Sequence, residues 1–317
     1  TATYSSTSSG QSQTTAASRS GNRDRHTPIN ASCRLRAAMT NVLLRSVSIV
    51  LLLASMGCGT VEPTGDRVVK IEGSDTMLIV NRRLAEAFMR IHPGVAVIAE
   101  GGGTSNGIDA MIEGDAAIAA ASRPLTSGEA QRLFDGHGTL GVRHLIAQDT
   151  LSVWIHPDNP VDDLTLVQLR GIFRGLVTNW AEVGGADRQI TVVIRPPASG
   201  TFRFFRDRIL GGVSYVPDAI TAATTMDVID RVAADPSAIG YGGAAYIRKS
   251  VRACALDGVP PSADDVSPDR YPLTRHLVFY TVAPPEGLAR VFVDWCQGPE
   301  GQAVVAEIGY LPLWDRS

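Results

Sequence analysis

The strongest constraint on what this chain can fold into is a repeated order: a short apolar run, a turn rich in glycine and hydroxyl residues, then a run with helical spacing. Val68 to Ile71 leads into Gly73-Ser74-Asp75-Thr76, after which Val80, Leu84, Phe88 and Ile91 recur on one helical face and His92-Pro93-Gly94 stops it. Val95 to Ile98 leads into Gly101-Gly102-Gly103-Thr104-Ser105-Asn106 and a helix start at Ile108 to Ile112. Ala116 to Ala121 ends in Ser122-Arg123-Pro124, and Ile190 to Ile194 ends in Arg195-Pro196-Pro197-Ala198-Ser199-Gly200-Thr201. Strand and helix signals that alternate in this way predict α/β layers around a mostly parallel sheet. In such a sheet, ligands bind outside the carboxyl ends of the strands.

Those strand ends share one chemistry. Small hydroxyl residues before a helix present backbone N–H groups and the positive end of a helix dipole to an anion. Arg195 adds a planar donor fork that matches an oxyanion in bidentate fashion. One such turn is an ordinary helix cap. Four of them (Ser74, Asp75 and Thr76; Ser105 and Asn106; Ser122 and Arg123; Arg195 with Ser199, Gly200 and Thr201) predict an oxyanion cleft. Phosphate suits it, since phosphate needs many donors and, protonated at neutral pH, at least one acceptor.

The chain crosses between two lobes twice in this reading. His156-Pro157-Asp158-Asn159-Pro160 breaks the strand Leu151 to Ile155, and Leu277 to Tyr280 returns, followed by helices from Pro285 to Cys296 and after Pro299. Residues 67–156 with 274–317 form one lobe and 157–273 the other, with the ligand cleft between them. With a net charge of −3 over 317 residues, the chain has no bulk attraction to nucleic acid, so any anion site is local.

The N-terminal part reads differently. Residues 1–38 are dominated by Ser and Thr at their start, lack apolar periodicity, and are expected to be disordered and not translated in the natural protein, with Met39 as the start. Arg45, the apolar run Val47 to Met56 and Ser55-Met56-Gly57-Cys58 resemble a bacterial lipoprotein signal over 39–58, in which Cys58 is lipidated and anchors the chain to a membrane; 59–66 is a linker. Cys254 and Cys296 would remain in an oxidising compartment, where a disulfide and two free buried thiols are both compatible with the sequence. No Cys/His spacing for a metal is present, the histidines lack triad spacing, and His92 and His137 read as loop residues.

Gly73-Ser74-Asp75-Thr76-Met77, Ala121-Ser122-Arg123-Pro124-Leu125, Asn179 to Gly185, Ser199-Gly200-Thr201, Ala238-Ile239-Gly240-Tyr241 and Gly309 to Leu313 occur together and in order. In this the chain resembles the periplasmic phosphate-binding proteins of the PstS type, the substrate-binding components of phosphate ABC importers, over about Val68 to Leu313. The resemblance implies a two-lobed type II periplasmic-binding fold that closes over inorganic phosphate, without a cofactor and as a monomer, and hands it to permease subunits. It implies anion binding by Ser74 and its neighbours, by Ser105, and by Arg195 with Ser199, Gly200 and Thr201. Trp180 is expected to pack beneath its turn and Gly240-Tyr241-Gly242-Gly243 to shape a hinge-side turn.

Two departures stand out. Pro197 occupies a position where many relatives are acidic, and Arg123 one where some carry aspartate, which leaves Asp75 as the candidate acceptor for the phosphate proton. Binding of molybdate, tungstate or sulfate, phosphate sensing by a lipoprotein, and a secreted phosphatase are the competing readings; the last needs an activated nucleophile or metal ligands, and Ser199 lacks an adjacent base in sequence.

Overall fold

Strand β1 (Val68–Gly73) buries every second side chain, then gives way to helix α1 (Asp75–Ile91) at Gly73, whose φ of 141° is open only to glycine and whose missing Cβ leaves room for the Ala120 carbonyl. The computed structural model describes residues 67–261 and 271–314, all within one unit that runs from Glu62 to Ser317. The unit beginning at Thr1, with Cys58 and the segments 1–38, 39–58 and 59–61, lies outside the described residues, as does the rest of the linker to 66. Helix α1 buries Met77, Val80, Leu84 and Phe88, the face that its periodicity predicts, and ends at His92 because the following Pro93 excludes a helical residue before it.

Two more strand and helix pairs follow: β2 (Ala96–Glu100) with α2 (Thr104–Glu113), and β3 (Ile118–Ala121) with α3 (Ser127–His137). His137 therefore ends a helix rather than sitting in a loop. Strands β2, β1 and β3 lie side by side and parallel, so their carboxyl ends open on one edge. Strand β3 is fully buried and ends in three alanines, which lets the backbone of Gly73 approach it closely at Ala120.

Strand β4 (Val142–Ile155) is the spine of the molecule. The chain continues through β5 (Asp163–Leu164), α4 (Leu166–Phe173), β6 (Thr191–Ile194), α5 (Gly200–Ile209), β7 (Ile220–Thr221), α6 (Thr225–Ala234), β8 (Ala238–Gly243), β9 (Arg252–Leu256), β10 (Thr274–Thr281), α7 (Gly287–Gln297) and α8 (Pro299–Glu307). The main path of the sheet runs β2-β1-β3-β10-β4-β8-β6-β7. Over Val142 to Thr150, β4 pairs with β10; from Leu151 onward it pairs with β8 and β9.

The cores divide at the same point. Ile146 and Ala147 pack with Val69, Ile71, Leu84, Phe88, Leu277 and Phe292, whereas Leu151, Val153 and Ile155 pack with Leu169, Phe173, Trp180, Phe205 and Tyr241. On the return, Tyr271 and Leu273 belong to the second core and Leu277 to the first. The chain thus changes packing partners inside β4, near Thr150, several residues before the break at His156 that the sequence suggests. A continuous strand can do this because alternate faces and alternate neighbours are available along its length.

Two local expectations meet the structure here. Trp180 does pack beneath its turn, buried, with its indole N–H donating to the Ser237 carbonyl at 2.8 Å. Gly240-Tyr241-Gly242-Gly243 is not a turn but the buried end of β8, where Tyr241 stacks on Phe205 at 4.1 Å between ring centres and bonds Tyr215 at 2.9 Å. Its glycines make room: a Cβ on Gly242 would run into the Trp154 ring. Cys254 and Cys296 are free and buried in different cores, and burial pushes both thiols up, Cys254 to about 12, so neither is a reactive thiolate.

Candidate functional site

Three helix N-termini meet at one place. Helices α1, α2 and α5 begin at Asp75, Thr104 and Gly200, each at the carboxyl end of a strand. Their first turns touch: Thr76 Oγ1 lies 2.8 Å from Thr201 Oγ1, and Ser105 N–H donates to the Ala198 carbonyl at 3.1 Å. Thr104 Oγ1 accepts the Ser122 N–H at 3.2 Å and lies 3.4 Å from Ser122 Oγ. Gly200 presses against this pair, since a Cβ there would stand 2.5 Å from Ser122 Oγ and closer still to Thr104 Oγ1. The outcome is a cluster of buried hydroxyls (Ser74, Thr76, Thr104, Ser122, Ser199 and Thr201) within a shell of helix ends.

The first residues of a helix leave N–H groups without intrahelical acceptors. Ser199 caps α5 by accepting the Phe202 N–H at 3.4 Å, and its own carbonyl takes the Arg203 N–H. The N–H groups of Gly200 and Thr201 have no protein acceptor among the described residues. In α1, Ser74 N–H is taken by the Ala120 carbonyl and Met77 N–H by the Ser74 carbonyl, which leaves those of Asp75 and Thr76 in the same condition. Converging donors of this kind, at positive helix ends, favour an anion over a cation or a neutral group.

Three buried guanidinium groups surround the cluster, and each faces a carboxylate. Arg195, 2% exposed, donates from Nη2 to Asp75 Oδ2 at 2.6 Å and to the Ala223 carbonyl at 3.0 Å, and from Nη1 to Thr225 Oγ1 at 2.8 Å. Arg123 forks onto Glu129 at 2.7 and 2.8 Å and reaches Ser105 Oγ at 2.9 Å. Arg275 donates from Nε and Nη2 to Asp149 Oδ2 at 3.0 and 2.8 Å. Because the pairs balance, the local attraction for an anion rests on N–H and hydroxyl dipoles with guanidinium edges, not on a surplus of positive charge.

The sequence-derived candidates distribute unevenly over this site. Ser74, Thr76, Ser122, Ser199, Gly200 and Thr201 lie in or beside the cluster, and Arg195 with Asp75 forms its rim. Asp75 has both oxygens engaged, Oδ2 by Arg195 and Oδ1 by the Gly102 N–H at 3.2 Å, and so holds Arg195 and the glycine-rich loop together. Ser105 accepts from Arg123 rather than facing the hydroxyls, and Asn106 is exposed with its amide donating to the Gly102 carbonyl. Their neighbour Thr104, fully buried, takes the inward place that the reading assigned to Ser105. Thr104 is the first helical residue after glycine, and a one-residue shift along a helix start turns a side chain by about 100°.

Arg275 and Asp149 escaped the sequence reading altogether. Asp149 is the one acid of β4 and Arg275 the one arginine of β10, both in buried stretches of strand, and that is the signal that could have paired them. Two tyrosines also act from a distance: Tyr310 donates to the Thr76 carbonyl at 2.5 Å and Tyr246 to the Asp75 carbonyl at 2.6 Å. Burial holds both phenols protonated, with Tyr246 pushed up to about 12, so they remain donors that pin the first turn of α1.

The Arg123–Glu129 pair makes a pH prediction. Burial pushes the Glu129 carboxyl up, but the Arg123 fork and the Thr126 N–H outweigh it and hold the group below the ordinary carboxylate range. A depressed folded-state pKa contributes stability that is present above the unfolded value, about 4.3, and lost as pH falls through the folded value. Breaking a buried pair costs about 3 kcal/mol. Glu129→Gln is therefore expected to melt well below the unaltered chain at pH 7, with the gap closing as pH drops below about 4. A gap that stays constant from pH 7 to pH 3 contradicts this account.

The comparisons with known proteins agree with the geometry. The PBP superfamily domain matches residues 59–300. The phosphate-binding protein PstS of Bacillus subtilis is 32% identical over 247 residues, spanning 77% of this chain and 80% of the relative. That of Pseudomonas aeruginosa is 28% identical over 263 residues, spanning 76% and 81%. Among solved structures, a phosphate ABC transporter substrate-binding protein from Clostridium perfringens, with bound phosphate, superposes with a TM-score of 0.72 at 31% identity, covering 78% of this chain and 100% of that one. An ABC-type phosphate transport receptor from Vibrio cholerae gives 0.64 at 29%, covering 77% and 99%.

Proposed function

Because the chain belongs to the PstS family of phosphate-binding proteins within the PBP superfamily, we propose that it captures inorganic phosphate outside the cytoplasm and delivers it to the permease of an ABC importer. The observation that carries this reading is the convergence of α1, α2 and α5, with unpaired N–H groups and six buried hydroxyls, on one point between separately packed cores. Phosphate is held by Ser74, Thr76, Ser122, Ser199, Gly200, Thr201 and Arg195, with Thr104 added. Asp75, Ser105 and Arg123 act one step removed, and Asn106 belongs to the rim. The two lobes are residues 67–156 with 274–317 and 157–273, and they move about the two points where the chain changes cores, inside β4 and just before β10. A cavity of about 510 Å³ between the Arg123 turn and α5, lined also by Arg203 and Arg206, supplies an approach suited to an anion. Lipidated Cys58 tethers the monomer to its membrane; no helix among the described residues is long and apolar enough to cross one.

Lobe closure is a population shift driven by contacts made only in the closed state. Its ligand is found by thermal melting with phosphate, sulfate, molybdate and tungstate. Phosphate at about 1,000 times its Kd is expected to add about 4 kcal/mol of stability. A large shift with molybdate or sulfate and none with phosphate overturns the substrate assignment. Pro197 and Arg123, which replace acceptors, favour a narrower margin of phosphate over sulfate than a site with a free carboxylate would show.

A further inference from the structure

Arg275 stands where the chain changes cores. It is the direct cross-strand partner of Asp149, one strand on each crossing: Asp149 precedes Thr150 and Leu151, where β4 exchanges β10 for β8, and Arg275 stands two residues after Leu273, which packs in the second core just before β10 begins. Both side chains are nearly fully buried, at 3% and 1% exposed. Glycine makes room for the acid, since a Cβ on Gly243 would stand 2.9 Å from Asp149 Oδ1, an oxygen with no hydrogen-bond partner among the described residues.

The remaining edges of the guanidinium point at both halves of the site. Nη2 lies 3.4 Å from Thr76 Oγ1, Nη1 lies 3.4 Å from the Ser122 carbonyl, and the guanidinium carbon lies 5.3 Å from the centre of the Phe204 ring on α5. Guanidinium only donates, so it occupies a lone pair of the Thr76 oxygen and repels that hydroxyl's proton. The proton is directed outward, toward Thr201 Oγ1 at 2.8 Å, and the Thr201 proton is left to donate in turn. Contact with Phe204 exists only while α5 lies against the first core, so the same group registers closure.

We propose that Arg275, fixed by Asp149, is a positioning residue at the hinge that aims the Thr76 hydroxyl at Thr201, leaves the Thr201 hydroxyl as the donor to the anion, and ties their order to lobe closure through Phe204. The inference rests on the reading of this site as a phosphate site. Its test is calorimetry with inorganic phosphate on the full chain and two variants. In the double variant D149L/R275M the buried pair is replaced by apolar side chains of similar size, an exchange that commonly leaves folding intact where removal of one partner does not. In Phe204→Leu only the ring face is removed, at a half-buried position.

The double variant is expected to melt cooperatively without phosphate, near the unaltered chain, yet to bind phosphate at least 30-fold more weakly. Phe204→Leu is expected to bind about 5-fold more weakly, with an unchanged melting temperature in the absence of phosphate. Affinity that falls without loss of stability is the signature that a merely structural pair does not produce. If the double variant fails to fold, Phe204→Leu decides. Affinities within twofold of the unaltered chain overturn the inference alone, whereas an unaltered chain that ignores phosphate overturns the phosphate reading and this inference with it.

Discussion

Gly200→Ala is expected to weaken phosphate binding by roughly 5- to 150-fold while leaving both cores folded, because overpacking a closed contact costs about 1–3 kcal/mol. The new methyl group falls on Thr104 Oγ1 and Ser122 Oγ, both held by the first core, while Gly200 itself begins a helix of the second. The clash exists only when the two halves meet. With the halves apart, alanine at the first position of a helix is compatible with the backbone, and its smaller unfolded-state entropy stabilises by about 0.4–1 kcal/mol. The variant should therefore melt no lower than the unaltered chain without ligand, and its radius of gyration in solution should fail to shrink on addition of phosphate. Full closure with affinity within threefold would show that Gly200 is not at the meeting surface.

This contrast also explains which parts of the molecule were legible in the sequence. Helix α1 and strands β1, β2, β6 and β10 follow from periodicity, apolar runs and turn chemistry alone, α1 and β1 burying one face and β6 and β10 burying most of their residues on both. Strand β8 did not, because four residues of glycine and tyrosine carry a turn composition, and only the Trp154 ring lying over Gly242 reveals why a strand there must lack side chains. The change of packing partners inside β4 was hidden for a similar reason. Proline and asparagine mark where β4 ends, but the exchange of cores happens earlier, inside a strand with no local mark.

At the site, residues that act through their own turn were readable and residues that act across the fold were not. Ser199, Gly200 and Thr201 advertise a helix start; Arg275 lies 199 positions from Thr76, and nothing local connects them. That Thr104 and not Ser105 lies against the Ser122 hydroxyl has the same origin, since the direction of a side chain at a helix start depends on backbone geometry that a glycine run leaves open.

Arg195→Lys is expected to weaken phosphate binding by about 100-fold even though the positive charge is kept. Arg195 serves three acceptors at once, Asp75, Thr225 and the Ala223 carbonyl, from a planar fork that is 2% exposed, and its Nε has no partner among the described residues. A lysine ammonium is a single point with three donors, and it cannot hold those directions together while offering an edge to the anion. If affinity is restored in Arg195→Lys, charge alone is what the site needs and the fork is incidental. Asp75→Asn separates the remaining question. Because Asp75 holds the fork rather than the anion, its loss is expected to weaken phosphate and sulfate by similar factors and leave their ratio unchanged. A variant that loses phosphate selectively would instead place the Asp75 carboxylate on the phosphate proton. The equal loss is the result the geometry requires, since Oδ2 of Asp75 lies 2.6 Å from Arg195 and Oδ1 is bonded by the Gly102 N–H.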